Sequence, residues 1–118
     1  VAVLFMTELA VADLAASVGW YRDRLGLRVL LLDAANGFAL LQGDGGGRLA
    51  LKAGTPAPGG VTLHLEVPDL AAELGRLGLA DTPVKDSPEG YREAFVRDPD
   101  GYAVGLFEWT PPHGERPA

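Results

Sequence analysis

The chain of 118 residues has two histidines and no cysteine, so few side chains can exchange a proton near neutral pH. His64 lies in the run Thr62-Leu63-His64-Leu65-Glu66-Val67-Pro68-Asp69-Leu70-Ala71-Ala72. That run aligns without a gap on Met6-Thr7-Glu8-Leu9-Ala10-Val11-Ala12-Asp13-Leu14-Ala15-Ala16. Leu, Val, Asp, Leu, Ala and Ala coincide, so Glu8 and His64 hold equivalent places in an internal repeat. A glutamate beside a histidine can orient the ring or hold its charge, which makes an acid–base pair for work near neutral pH. Each residue alone also fits a plainer role: His64 as a hydrogen-bonded wall residue, Glu8 as a charge at a cavity mouth.

The elements that must position these residues follow from the repeat. Val1–Val11 is expected as a strand, with Leu9 and Val11 on one face and Met6, Glu8 and Ala10 on the other. Asp13 caps a helix whose apolar face is Leu14, Val18, Tyr21 and Leu25, and Leu25-Gly26-Leu27 stops it. Strands are expected over Arg28–Leu32, Phe38–Gln42 and Arg48–Lys52, joined by turns at Asp33–Gly37 and Gly43–Gly47. Gly54–Gly60, with glycine and proline throughout, reads as a linker. The same grammar then returns: strand Val61–Val67, cap Asp69, helix Leu70–Leu77, stop Gly78-Leu79, and strands at Thr82–Asp86, Tyr91–Arg97 and Tyr102–Trp109. Asp98-Pro99-Asp100-Gly101 is a strong turn between the last two. The organisation expected is a first module at 1–53, a linker at 54–60, a second module at 61–109 and a mobile tail at 110–118, together one domain.

Composition narrows the partners. Hydrophobic residues make up 47% of the chain, enough for a real core and against a disordered tail. Without cysteine there is no disulfide framework, no thiolate zinc site and no cysteine nucleophile. Charge interrupts every apolar stretch before the roughly 18 residues a membrane span needs. A formal net charge of -6 lacks the basic stripe that nucleic acid requires. The expectation is a soluble cytoplasmic domain that meets neither membrane nor nucleic acid.

Val11-Ala12-Asp13-Leu14 with Ser17, Trp20-Tyr21-Arg22-Asp23, Leu25-Gly26-Leu27, and Gly90 to Tyr102 around the turn Arg97-Asp98-Pro99-Asp100-Gly101 together resemble the vicinal-oxygen-chelate superfamily. This is the glyoxalase/bleomycin-resistance/dioxygenase group. The resemblance implies an α+β fold of tandem βαβββ modules, forming a curled mixed sheet around a central cavity with helices outside. It also implies a homodimer. In the family's metalloenzymes four cavity-facing side chains bind a divalent ion, and the positions carried over here are Met6, Ala50, Thr62 and Gly105. A thioether is too soft for the usual hard ions, and Ala and Gly offer no donor, so no metal or other cofactor is expected. A register two residues along lands on Glu8 and His64, which the pseudo-twofold would bring together across the cavity.

Alternation places Glu66, Arg48 and Lys52 on the same cavity face, where Arg48 and Lys52 could hold an anionic group or simply be a solvated edge. Phe107 shares the face of Gly105, and the missing side chain at Gly105 reads as room for a ligand or as a bulge. Tyr91 and Trp109 are candidate cavity or rim aromatics, while Trp20 and Tyr21 read as helix-to-sheet packing. Two functions follow. One is a metal-free cavity that binds a small molecule, of the bleomycin-resistance kind, the acidic balance suiting a cationic guest and antibiotic sequestration. The alternative is a metal-independent lyase, isomerase or hydrolase using Glu8 and His64. A metal-dependent glyoxalase-like or dioxygenase enzyme is disfavoured by the four replacements.

Overall fold

A computed structural model describes residues 1–111 as two compact units. The first comprises Val1–Pro58 with the turn Asp98–Gly101. Its strand β1 spans Thr7–Val11, followed by helix α1, Leu14–Gly19, and one π-helical turn, Trp20–Arg24. Strands β2 (Arg28–Asp33), β3 (Phe38–Gln42) and β4 (Arg48–Ala53) complete a sheet of order β1-β4-β3-β2, with β1 parallel to β4 and the other pairs antiparallel. The second unit repeats the plan: β5 (Thr62–Glu66), α2 (Leu70–Arg76), β6 (Lys85–Ser87), β7 (Tyr91–Arg97) and β8 (Ala103–Trp109), in the order β5-β8-β7-β6. Each unit is therefore βαβββ with the same strand order and a mixed sheet.

The two helices begin alike for one reason. Asp13 and Asp69 stand in extended backbone, and each carboxylate accepts the N–H three residues on, from Ala16 at 3.0 Å and Ala72 at 3.1 Å. They also end alike, on Gly26 and Gly78 with φ of 75° and 73°, a left-handed cap that glycine takes without strain. The first helix is the longer, and its last turn is wider. The Leu27 N–H reaches back to the Tyr21 carbonyl, whereas Leu79 reaches only to Leu74, one residue fewer. The added turn carries Tyr21, which is fully buried and donates its hydroxyl to Asp98 at 2.6 Å.

Each sheet has an inner face under its helix. In the first unit Leu9, Val11, Ala39, Leu41, Leu49 and Leu51 are buried, and α1 packs on β3 and β4. In the second unit Ala94, Val96, Val104 and Leu106 are buried together with Leu70, Leu74 and Leu77, and α2 packs on β8. Burial of one such leucine contributes on the order of 1.5–3 kcal/mol, so this face holds the strands in register.

Several strand and helix ends differ by one residue from the sequence expectation, and three differences are larger. The first strand begins at Thr7, and residues 1–6 are irregular and exposed despite their apolar character, because they lie outside the span that β4 pairs with. Met6 thus precedes the strand on which it was expected. The strand expected at Thr82–Asp86 is instead Lys85–Ser87, set by its pairing with Glu93, Arg92 and Tyr91. The helix predicted through Leu25 changes from α to π at Trp20. Of the tail expected to be mobile, residues 112–118 lie outside the described residues.

Candidate functional site

The site is best built from the second unit's sheet, on the face turned away from α2. Strand alternation and register put His64 and Glu66 of β5, Gly105, Phe107 and Trp109 of β8, and Tyr91, Glu93 and Phe95 of β7 on that face. His64 stands beside Gly105 on one side of β8, and Phe95 stands beside Gly105 on the other. Thr62 lies on the same face and is exposed.

His64 and Glu93 meet over the glycine. Nδ1 of the imidazole is 2.6 Å from Oε2 of Glu93, whose side chain is only 8% exposed while that of His64 is 51% exposed. With the Glu93 carboxylate as acceptor, Nδ1–H is the donor of this bond and Nε2 is the nitrogen left for other partners. A Cβ at position 105 would collide with Oε2 of Glu93, and would stand 2.9 Å from its Cδ and 3.1 Å from Nδ1 of His64. Gly105 is thus neither bulge nor ligand space: the pairing through it is regular, and the room its missing side chain leaves is filled by the Glu93 carboxyl. The Phe95 ring meets the imidazole edge-on with centroids 6.1 Å apart, and it is 46% exposed.

Beside this pair lies an aromatic cluster. Tyr91, Phe107 and Trp109 contact one another edge to face, with centroids 5.4–5.9 Å apart. The Trp109 indole N–H donates to Oε1 of Glu66 at 3.2 Å. Partly exposed aromatic rings and a carboxylate within one patch favour a cation or a planar ring.

Glu93 was missed in the sequence, and its signal was alternation. Tyr91 was named as a rim aromatic, and the residue two further along the same strand shares its face. The candidates of the first unit have other surroundings. Glu8 is exposed on β1 opposite the fully buried Ala50 of β4. The Arg48 guanidinium donates to the Phe5 carbonyl at 3.3 Å and lies 4.5 Å from the Phe5 ring centroid. Lys52 donates to the Asn36 carbonyl at 2.9 Å, so its charge closes a turn. Tyr21 is core, as expected from its helical spacing.

The residues at the four positions carried over from the fold's metalloenzymes do not fit the divalent ion used there. Ala50 and Gly105 have no donor atom, Met6 lies outside the first strand, and the space at Gly105 holds a carboxylate already bonded to His64. Among the described residues no group of three His, Cys, Asp or Glu side chains gathers to hold a metal. Nor is any helix among them long and apolar enough to cross a membrane.

Comparison with known proteins agrees with this architecture. The sequence profile of the Glyoxalase/Bleomycin resistance protein/Dioxygenase superfamily matches residues 3–106. Among solved structures, the chain is similar to TnmS3, an antibiotic binding protein from Streptomyces sp. CB03234, at 25% identity and a TM-score of 0.76, covering 93% of this chain and 98% of that one. TioX from Micromonospora sp. ML1 is 26% identical with a TM-score of 0.70, covering 92% and 99%. A lactoylglutathione lyase from Agrobacterium tumefaciens, 22% identical with a TM-score of 0.67 over 91% and 93%, shares the fold. No protein with a curated description matches the sequence. With the profile spanning nearly the whole chain and the βαβββ plan present twice, the chain belongs to the glyoxalase/bleomycin resistance protein/dioxygenase superfamily.

Proposed function

We propose that this chain binds a small cationic aromatic molecule without metal and releases it unchanged, as an antibiotic-sequestering protein does. The observation that carries the reading is the patch of Tyr91, Phe107 and Trp109 with the Glu66 carboxylate on the indole N–H. Such a patch offers flat apolar contact and one fixed negative charge, the two features a planar cation needs. The net charge of -6 adds a long-range attraction for cations. The likeness to an antibiotic binding protein supports the same reading. Thr62, on the same sheet face, is proposed as further lining, and two chains are proposed to pair as a homodimer in the cytoplasm.

Titrating the purified chain with a panel of cationic aromatic antibiotics, followed by tryptophan fluorescence, tests this. Saturable quenching is expected, with Trp109→Ala and Glu66→Gln each weakening affinity about tenfold and the guest recovered intact by mass spectrometry. A panel that fails to bind, or a guest returned altered, overturns it. The metal-free enzyme reading has one observation in its favour: the half-exposed His64 ring is fixed by a buried carboxylate. Glu8 was the partner expected for His64, and the carboxylate bonded to it within the second sheet is Glu93.

A further inference from the structure

We infer that His64 and Glu93 form a general-base dyad, in which His64 Nε2 takes a proton from a carbon acid carried on an aromatic ring. Glu93 is the positioning residue. The inference stands apart from the binding reading, because guest capture draws on the aromatic patch around Trp109 whereas proton removal draws on the pair over Gly105.

Three observations carry it. The Nδ1–Oε2 distance of 2.6 Å, with the carboxylate buried and the ring half exposed, fixes one end of the imidazole and opens the other. A carboxylate accepting from Nδ1–H selects the tautomer whose Nε2 keeps its lone pair, and it stabilises the imidazolium formed on protonation. The exposed Phe95 ring stands edge-on to the imidazole and gives an aryl substrate a surface beside the ring. Gly105 belongs to the device, since any side chain there would occupy the place of the Glu93 carboxyl. Other ionisable groups on this sheet face are Glu66 on β5, Tyr91 and Arg97 on β7, and Lys85 on β6 opposite Glu93.

The probe is 5-nitrobenzisoxazole, whose elimination needs one base and no second reactant. Nε2 takes the ring C–H proton, that electron pair becomes the third C–N bond, and the N–O bond breaks to leave a coloured cyanonitrophenolate. The imidazolium then returns its proton to water. The full chain is expected to exceed an equal concentration of free imidazole by about 100-fold. His64→Ala should abolish the excess, Glu93→Gln should reduce it about tenfold, and His113→Ala should leave it unchanged. Nitrogen-15 spectra of the neutral ring supply a readout independent of turnover: His64 is expected as the Nδ1–H form in the wild type and as the Nε2–H form in Glu93→Ala. A rate equal to that of free imidazole, an excess that survives His64→Ala, or an Nε2–H ring in the wild type overturns the inference. If Glu93→Gln fails to fold, the wild-type spectrum still decides.

Discussion

A single methyl group at position 105 probes how the open face of the second sheet is built. Gly105→Ala forces the Glu93 carboxyl out of its place, and overpacking of this kind costs about 1–3 kcal/mol. In urea denaturation the loss should largely vanish when Glu93→Ala is added, because the colliding group is then gone; a double variant as unstable as the sum of the two singles would place the strain elsewhere. This part of the site was only half legible in the sequence. Alternation alone put Tyr91, Glu93 and Phe95 on one face, and the repeat singled out His64. What joins Glu93 to His64 is the β7–β8 register, with Phe95 opposite Gly105, together with the parallel register that sets His64 beside the same glycine. Pairings between strands distant in sequence are not written in local periodicity.

At the scale of elements the sequence was far more legible, because caps and stops are local chemistry. Asp13 and Asp69 make the same bond to the third residue on, and their equivalence can be measured. Asp13→Ala and Asp69→Ala are each expected to cost about 1 kcal/mol in thermal or urea unfolding. Asparagine at either place should restore most of that loss, and a cap whose removal costs nothing would show its helix to be held by packing alone. Phe38–Gln42 and Tyr91–Arg97 were expected with the bounds that the structure gives. The opening strand was overextended because Val1-Ala2-Val3-Leu4-Phe5-Met6 has a strand's composition, but β4 pairs only from Thr7 onward. The π-helical turn at Trp20–Arg24 was invisible for a related reason: α and π spacing differ by one residue per turn, too little for four apolar positions to separate.

At the scale of the whole molecule, the repeat predicted the fold and the four replaced ligand positions predicted the chemistry to look for. The expected outcome of elemental analysis on the purified chain is no stoichiometric Ni, Zn, Mn or Fe, with thermal stability unchanged by a chelator. A bound ion at one per chain would overturn the metal-free reading. Gly105 also bears on how this chain stands to metal-binding relatives. By resemblance, position 105 is where such relatives carry an acidic ligand on the last strand, and here that volume is taken by a carboxylate arriving from the neighbouring strand. The two carboxylates are rivals for one socket. A lineage moving between the two states must cross an intermediate in which both compete for the space or neither fills it and His64 stands without its partner. An acidic side chain at position 105 therefore requires a change at Glu93 as well, so the two positions must vary together.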